Sequence, residues 1–397
     1  MVTSSKLTNP SPEVSAIETG KPYHDPKRRM EFVLLYDLSN GNPNGDPDNG
    51  NQPRQDPQTD RGIVTDAAIK RKVRNYISST YGESSHPERA PFKIFVQQGT
   101  VLNESIGRAF KACNIAVGKP VCRDVPDEAV LIGLRTLQEN TPLPASFTFN
   151  DIEPDEDALR SATLEYSGEL DEAELKAAMA ELDEALKEHK GLKKFINDVV
   201  KESGKARRNA EDVNKARDWM CANFYDVRMF GAVMSTGLNA GQVTGPMQIE
   251  FSQSIDPILI QHHTVTRCAV TNLRDKEKGS TMGGKSVIPY GLYRVHGYFS
   301  PMLGEKTRVT AEDLSTFWEA LIQMWANDRS SCRSITPQAL IVFTHNEPGG
   351  NAPAHKLLKM VKVEKNDGVE YPRSFEDYTL SIDRENIPEG VTLNELL

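Results

Sequence analysis

The clearest hydrophobic pattern lies near the start of the chain. Residues 32–38 (FVLLYDL) are apolar on both faces, which is typical of a central buried strand. The residues that follow, up to Gly62, are dense in Gly, Asn, Asp and Pro and predict a long loop. Thr65 is a predicted helix N-cap, and the apolar residues from Ile69 to Ile77 recur at helical spacing. This part of the chain therefore predicts a strand, a long loop and a helix.

The chain after residue 245 predicts further strands of the same sheet. Strand patterns occur in the segments QIEFSQSI, ILIQHHTVTRCAVTNL and VIPYGLYRVHGYF. Thr310 begins a capping-box helix with an apolar face from Leu314 to Trp325, and residues 339–343 (ALIVF) are another buried strand. The order βα, insertion, ββ, αβ predicts an α+β, ferredoxin-like fold. This is the layout of the RNA-recognition motif, expanded here by a helical insertion and a long excursion between strands.

Residues 151–202 are predicted to form an acidic helical lobe. The clearest helix in it is capped by Asp171 and ends at Gly191, and its apolar stripe consists of Leu175, Met179, Leu182 and Leu186. The lobe holds 16 acidic and 7 basic residues, a local net charge of -9, so the other 345 residues sum to zero. This balance argues against a protein that coats nucleic acid through bulk positive charge.

Two basic segments are nevertheless available for an anionic partner. Residues 61–93 carry seven basic side chains against three acidic ones, and residues 266–308 carry eight against three. No apolar run approaches the roughly 18 residues that a membrane span needs, and the N-terminus lacks the apolar core of a secretory signal. We therefore expect a cytoplasmic protein with no membrane partner. The five cysteines are scattered singly, and neither a metal site nor a cofactor is predicted.

The segment Gly279–Ser286 (GSTMGGKS) matches the phosphate-binding pattern G-x-x-x-x-G-K-[ST]. A nucleotide-binding loop of this kind follows a buried strand and opens a helix. Here charged residues precede the segment and a strand pattern follows it, so a basic loop that binds RNA phosphates is the better interpretation, and an ATPase is an alternative. The cations of this loop are Arg274, Lys276, Lys278 and Lys285.

The loop after the first strand carries four aspartates, Asp46, Asp48, Asp56 and Asp60. Their spacing does not fit a calcium loop, and the first interpretation is that they shape turns. A metal-dependent endoribonuclease that uses one of them is the enzymatic alternative.

The first predicted helix carries four cations, Lys70, Arg71, Lys72 and Arg74. They are typical of a solvated helix face, but the loop with Arg54 and Arg61 leads directly into this helix. The backbone N–H groups of this region and these cations can therefore contact the same stretch of RNA phosphates.

Two other patterns have a structural and a functional interpretation. His262 and His263 are neighbours on a predicted strand, so they point to opposite faces and do not share a catalytic site. Near Gly231 and Gly237, the side chains of Met229, Phe230 and Met234 are core residues by default, although close backbone approach would let them wedge between bases.

Three long segments resemble one known family. They are residues 32–76 (FVLLYDLSNG to KRKVRNY), 223–258 (NFYDVRMFGAVMSTG to SQSIDPI) and 278–301 (KGSTMGGKSVIPYGLYRVHGYFSP). In this order they resemble the backbone subunit of CRISPR Cascade surveillance complexes, the seventh CRISPR-associated family, in its subtype I-C form. The resemblance extends from Met30 to about residue 345, and residues 1–29 and about 151–210 are least covered.

The resemblance implies a right-hand shape with an RNA-recognition-motif-like palm, helical fingers and a β-hairpin thumb. The predicted parts are a disordered lead-in (1–29), a palm (30–90 and 220–397), a thumb hairpin (about 253–288) and a finger insertion (91–219) with the acidic lobe (about 151–202).

The resemblance also implies a function without catalysis. Several copies form a helical filament along one CRISPR RNA, and each thumb reaches a neighbouring copy and kinks out a nucleotide. The guide is thereby presented to target DNA in antiviral defence. The implied partners are other copies of the chain, the RNA-processing subunit, the large subunit and a recruited nuclease-helicase. Relatives in type III complexes cut target RNA from the equivalent first loop, which leaves the endoribonuclease alternative open.

The implied RNA-binding residues fall on the first loop and helix, on the YDVRMFGAVMSTG segment and on the thumb. They are Asn40, Asn42, Arg54, Arg61, Thr65, Lys70, Arg71, Arg74, Arg228, Met234, Ser235, Gln242, His262, His263, Arg267, Arg274, Lys276 and Lys285. The resemblance also places Gly241 to Gly245 in a loop that approaches the RNA closely.

Overall fold

A computed structural model describes most of the chain. The described residues are 19–82, 92–115, 119–140, 143–144, 146–152, 161–168, 170, 172–186, 189–203, 209–235, 238–267 and 281–397. They divide into two compact units. The first unit contains Met1–Ile77, Met247–Glu305 and Val309–Leu397, and the second contains Ser78–Pro246 and Lys306–Arg308.

Within the described ranges the strands are β1 (Met30–Gly41), β2 (Gly45–Asp46), β3 (Gln52–Pro53), β4 (Arg61–Val64), β5 (Val121–Asp124), β6 (Phe147–Ile152), β7 (Ser161–Tyr166), β8 (Gly231–Val233), β9 (Gln242–Thr244), β10 (Met247–Ile249), β11 (Ser252–Pro257), β12 (Gln261–Arg267), β13 (Thr281–Phe299), β14 (Ile335–His345), β15 (Val361–Lys365), β16 (Tyr378–Ile382) and β17 (Val391–Glu395). The helices are α1 (Asp66–Tyr81), α2 (Leu102–Ala112), α3 (Glu128–Asn140), α4 (Glu172–Leu186), α5 (Lys190–Ser203), α6 (Ala210–Asn223), α7 (Tyr225–Phe230), α8 (Pro301–Thr307), α9 (Ala311–Asn327) and α10 (Ala354–Lys359). Short 3-10 helices occupy Pro22–His24, Pro47–Asn49 and Phe375–Asp377. The mixed α and β composition that the sequence predicts is confirmed.

The first unit is built on one sheet with the strand order β17-β14-β1-β13-β11-β4, and β10 and β12 pair with further parts of β13. β1 pairs antiparallel with β13, from Met30 opposite Phe299 to Gly41 opposite Ile288, and with β14 on its other edge. Residues 32–38 are buried on both faces. The predicted central strand is therefore confirmed.

Helix α9 covers this sheet through the apolar face that the sequence predicts. The hydroxyl of Thr310 accepts a hydrogen bond from the Asp313 backbone N–H, and the Asp313 carboxylate accepts one from the Thr310 backbone N–H, which completes the predicted capping box. Its apolar positions from Leu314 to Trp325 are buried. The rings of Phe317 and Trp318 pack edge-on against Phe32 of β1.

Residues 19–29 belong to the predicted disordered lead-in, and for them the prediction is wrong. His24 is buried, and the Trp318 indole N–H donates a hydrogen bond of 2.8 Å to the Tyr23 carbonyl. Arg29 Nε lies 2.7 Å from Glu31 Oε1. The buried His24 ring, the Tyr23 carbonyl and the Arg29–Glu31 ion pair hold this segment in place. None of these contacts depends on regularly spaced apolar residues, so the hydrophobic pattern of the sequence does not predict them. Residues 1–18 lie outside the described residues.

The second unit differs from the predicted insertion (91–219) in extent and content, because it begins at Ser78 and continues to Pro246. Besides the predicted helices, it contains the three-stranded sheet β5-β7-β6 and the strand pair β8-β9. One hydrophobic cluster gathers residues of β5 to β7 and α3 to α5, and a second gathers residues of α2, α6 and the β8-β9 region.

The acidic lobe contains the predicted helix as α4. Leu182 and Leu186 of its stripe are buried, and Leu175 and Met179 pack against the same cluster. Gly191, the predicted end, instead lies inside α5. α4 ends at Leu186, and α5 begins at Lys190. Asp171, the predicted cap, lies outside the described residues.

No helix in the described part of the chain is both long enough and apolar enough to span a membrane.

Gly297 of β13 provides a test of how α9 and the sheet pack. A Cβ atom at this position would overlap the Phe32 ring, which Phe317 and Trp318 hold in place. We expect Gly297→Ala to lower the free energy of unfolding of the first unit by about 1–3 kcal/mol, because the added methyl group overpacks the core. The measurement is urea unfolding of the full-length chain.

Gly284, on the same strand, is the matched control, because a Cβ atom there has no neighbour within 4 Å. Gly284→Ala should change the free energy of unfolding by no more than about 0.5 kcal/mol. Equal effects of the two substitutions would contradict the packing of Phe32 described above.

Candidate nucleic-acid interface

The end of β1 is tied to the loop that precedes β14. Asn40 is exposed and adopts a left-handed backbone conformation with a φ of 48°, which asparagine tolerates better than most residues. The Asn42 backbone N–H donates to the Cys332 carbonyl at 2.7 Å, and its side-chain Nδ2 donates to the Asn51 carbonyl at 2.8 Å. Asn42 Oδ1 is buried and has no hydrogen-bond partner among the described residues.

The first loop uses its aspartates mainly to shape the backbone. Asp46 Oδ1 accepts from the Asp48 backbone N–H at 3.3 Å and lies 3.2 Å from Arg54 Nη1. Asp56 Oδ1 accepts from the Gln58 backbone N–H at 2.9 Å, and this hydrogen bond lowers the pKa of Asp56. These contacts agree with the turn-shaping interpretation.

Within the described ranges, His, Cys, Asp and Glu side chains form no group of three or more with the arrangement of a metal site.

Helix α1 begins as predicted, with Thr65 as its N-cap. The Thr65 hydroxyl accepts from the Ala68 backbone N–H at 3.3 Å, and the Thr65 backbone N–H donates to Asn44 Oδ1 at 2.9 Å. Lys70 Nζ lies 2.8 Å from Asp66 Oδ2, one helical turn earlier, and this pair orients the ammonium group.

The predicted cations around α1 differ in exposure. Arg61 and Arg71 are exposed, Arg74 is partly exposed, and only 14% of the Lys70 side-chain surface is exposed. Arg54 presents 31% of its side chain, but its Nε atom is buried and has no partner among the described residues. The first unit therefore carries several accessible cations along the loop and helix that the sequence singles out.

Lys72, unlike Lys70, Arg71 and Arg74 of α1, is not among the predicted RNA-binding residues. It is buried with 7% exposure, its Nζ pairs with Asp328 Oδ2, and it lies over the Trp325 ring at 5.9 Å from the centroid. Burial lowers the pKa of Lys72, while the hydrogen bond and charge of Asp328 act in the opposite direction. Arg333 Nη1 lies 3.0 Å from Asp328 Oδ1, so a single carboxylate joins two cations.

The hairpin of β12 and β13 lies within the predicted thumb range. His262 Nδ1 is 2.9 Å from Ser286 Oγ, and His263 pairs in register with Lys285. Both histidines and Lys285 are exposed, and Lys285 Nζ donates to Ser331 Oγ at 3.4 Å. The alternation of the strand places the two histidines on opposite faces, as predicted. Arg267 ends β12, and Arg274 and Lys276 lie outside the described residues.

The phosphate-binding sequence pattern does not have the geometry of a nucleotide-binding loop. Its described part, Thr281–Ser286, lies in strand β13 and does not open a helix. Helix N-terminal N–H groups are therefore not presented to a phosphate by these residues.

In the second unit, two predicted RNA-binding side chains are buried, and for them the prediction is wrong. Arg228 is 4% exposed, its Nη1 donates to the Cys221 carbonyl at 2.6 Å, and its guanidinium group lies over the Tyr225 ring. Met234 is 1% exposed and belongs to a hydrophobic cluster. Arg228 instead holds α7 to the end of α6, and Met234 fills the core. Because both side chains are buried, they present no surface to RNA.

Met229 and Phe230 are buried too, so they are core residues and not wedges between bases. Ser235 and Gln242, in contrast, are exposed on the β8-β9 region of the second unit.

Gly231 and Gly245 approach each other where β8 pairs with β9, so their closeness is explained by a contact within this chain. A Cβ atom on Gly231, whose φ is +80°, would lie 2.5 Å from the Gly245 nitrogen. A side chain at either position would separate β8 from β9. Gly237 lies outside the described residues.

Asp328→Ala tests the buried ion pair of the first unit. The substitution leaves the Lys72 ammonium buried without its carboxylate, so we expect the free energy of unfolding to fall by about 1–3 kcal/mol. Urea unfolding measures the change.

The control is Arg333→Ala, which removes the half-exposed cation of the same carboxylate and should cost less than about 1 kcal/mol. An unchanged free energy of unfolding in the Asp328→Ala variant would show that Lys72 does not depend on this carboxylate.

Comparisons with known proteins give one family. The family model described as CRISPR-associated protein Cas7 matches residues 28–132 and 173–383, which is most of the chain. A curated relative, the CRISPR-associated protein Cas7 of Haloferax volcanii, is 40% identical over 65 residues, which are 14% of this chain and 19% of the relative. That match therefore spans about a fifth of the relative's length.

Two solved structures resemble the chain weakly. A chain of a "CRISPR RNA-guided surveillance complex, pre-nicking" is 15% identical, with a TM-score of 0.42, and the match covers 79% of this chain and 78% of that one. A chain of a "CRISPR RNA-guided surveillance complex" is 13% identical, with a TM-score of 0.35, over 79% of this chain and 75% of that one.

Proposed function

The chain belongs to the CRISPR-associated protein Cas7 family, and from this premise we propose that it is a non-catalytic subunit that binds CRISPR RNA as the backbone of a type I-C Cascade surveillance complex. The proposal is supported by the cations and exposed polar groups of the first unit. RNA phosphates are bound by such groups without regard to base sequence. The protein then holds the guide while base pairing with target DNA selects the sequence.

The observation that carries the proposal is the convergence of three predicted RNA-binding segments on one region of the first unit. The end of β1 contacts the Cys332 carbonyl, α1 contacts Asp328, and the hairpin contacts Ser331 through Lys285. Segments that are distant in sequence therefore meet at one short loop, and the hairpin places the exposed Lys285 beside it.

The strand order supports a ferredoxin-like palm. In the order β14-β1-β13-β11, the last of these four strands along the chain lies beside the first, and the third lies on its other side. Helix α1 follows β1, and α9 precedes β14, as in a βαββαβ arrangement. We assign the hairpin of β12 and β13 as the thumb and the second unit as the fingers.

The proposed assembly contains several copies of the chain along one CRISPR RNA. Its further partners are an RNA-processing subunit, a large subunit and a recruited nuclease-helicase, and the proposed location is the cytoplasm. In this scheme the exposed His262 and His263 on the thumb contact the kinked nucleotide or a neighbouring copy.

Replacing Lys70 and Arg74 together by Ala tests the RNA-binding surface. We expect weaker binding to all single-stranded RNA sequences alike, because phosphate contacts carry no sequence information. The slope of log K against log salt concentration should become less steep by about 0.7 for each lost phosphate contact, or about 1.4 for both. Fluorescence anisotropy with labelled RNA over a salt series measures this slope.

The matched control replaces Lys356 and Lys359 of α10 by Ala, which removes the same charge from exposed positions of the same unit. An identical slope for both double variants would exclude Lys70 and Arg74 as phosphate ligands.

A second test separates the scaffold from an endoribonuclease. We expect the assembled complex, given labelled RNA complementary to its guide and Mg²⁺, to leave that RNA intact, because Asp46 is occupied by Arg54 and the Asp48 N–H. Gel electrophoresis of the labelled strand provides the readout. Regular cleavage that disappears in Asp46→Ala or Asp48→Ala would overturn the non-catalytic assignment.

A further inference from the structure

The loop between α9 and β14, residues 328–334 (DRSSCRS), belongs to none of the sequence motifs described above, yet it contacts three segments of the first unit. Its Cys332 carbonyl accepts from the Asn42 N–H at 2.7 Å, its Asp328 pairs with Lys72, and its Ser331 hydroxyl accepts from Lys285 Nζ at 3.4 Å.

Strand register explains this position. Ile335, the first residue of β14, lies opposite Leu38 of β1, and Gly41 of β1 lies opposite Ile288 of β13. The end of β1, the base of the hairpin and loop 328–334 therefore meet at one end of the sheet.

The contact between loop 328–334 and β1 is close at the level of the backbone. A Cβ atom at Gly41 would lie 2.5 Å from the Cys332 carbonyl oxygen, so only glycine permits this approach without displacement. The Ser330 and Arg333 backbones form an antiparallel bridge inside the loop. The loop is thus held in one place by its own turn, by β1 and by the buried Lys72 pair.

The charge of the loop is favourable for an anion. The Asp328 carboxylate is shared by Lys72 and Arg333, so these three groups together keep one positive charge. Arg333 leaves 52% of its side chain exposed, and Arg329 is exposed and makes no ion pair or hydrogen bond with another described residue. A guanidinium group presents paired N–H donors that match the oxygens of a phosphate.

We propose that loop 328–334 is a further phosphate-binding element for single-stranded RNA, in which Arg329 and Arg333 bind backbone phosphates and the Ser331 hydroxyl holds Lys285 of the hairpin beside them. This inference rests on the proposed RNA-binding function and adds to it an element that the sequence did not reveal. Asp328 orients Arg333 before RNA binds, which reduces the entropy lost on binding.

The test uses the full-length chain and fluorescein-labelled single-stranded RNA in an anisotropy titration over a series of NaCl concentrations. Replacing Arg329 and Arg333 together by Ala should make the slope of log K against log salt concentration less steep by about 1.4, from about 0.7 for each phosphate contact. The control, Lys356→Ala with Lys359→Ala, changes the net charge equally and should retain the wild-type slope.

Arg329→Ala alone guards against a loss of fold, because no described partner depends on this side chain; its expected change in slope is about 0.7. Arg333→Lys keeps the charge but not the paired donors, so it should retain the slope and weaken binding at every salt concentration.

The outcomes separate the inference from the proposed function. If the Arg329/Arg333 double variant has the slope of the control while the Lys70/Arg74 double variant does not, the inference is wrong and the proposed function stands. If the wild-type chain fails to bind RNA even at low salt, the proposed function itself is wrong. A reduced slope for Arg329→Ala, with an unchanged urea unfolding curve, supports the inference.

Discussion

The pairing of β1 with β13 on one edge and β14 on the other is the constraint on which the first unit depends. It buries residues 32–38 on both faces and fixes which loops lie at the end of the sheet. Because the pairings are antiparallel, the end of β1 lies beside the start of β14 and beside the part of β13 that continues into the hairpin. The RNA-binding surface that we propose is a consequence of this register.

Local sequence signals predicted the elements of this sheet well, because each signal acts within a few residues. The apolar run 32–38 and the Thr310 capping box are of this kind. Loop 328–334 has the composition of an ordinary turn, so no local signal predicts its role, which comes from contacts with residues as distant as Asn42. The burial of Arg228 and Met234 is unpredictable from the sequence for the same reason. The sequence gives their chemical type, while burial depends on packing between distant segments.

Carboxylates accompany several of the cations in this part of the first unit. Asp46 pairs with Arg54, Asp66 with Lys70, and Asp328 with both Lys72 and Arg333. Each pair reduces the net positive charge while it restricts the orientation of a long side chain. A chain with a net charge of -9 can in this way offer ordered cations locally without the strong, indiscriminate attraction of a basic domain.

Strand β13 is shared by the sheet and the hairpin, and its 19 residues would span roughly 60 Å if fully extended. The part of β13 in the sheet is hydrogen-bonded along β1, and the other part is hydrogen-bonded to β12 in the hairpin. The pairing of β13 with β12 ends at Val287 and its pairing with β1 begins at Ile288, so the strand passes from the hairpin into the sheet without an intervening loop. One continuous backbone therefore links the hydrophobic interior of the first unit to the hairpin, and a load applied to the hairpin would be felt at the centre of the sheet.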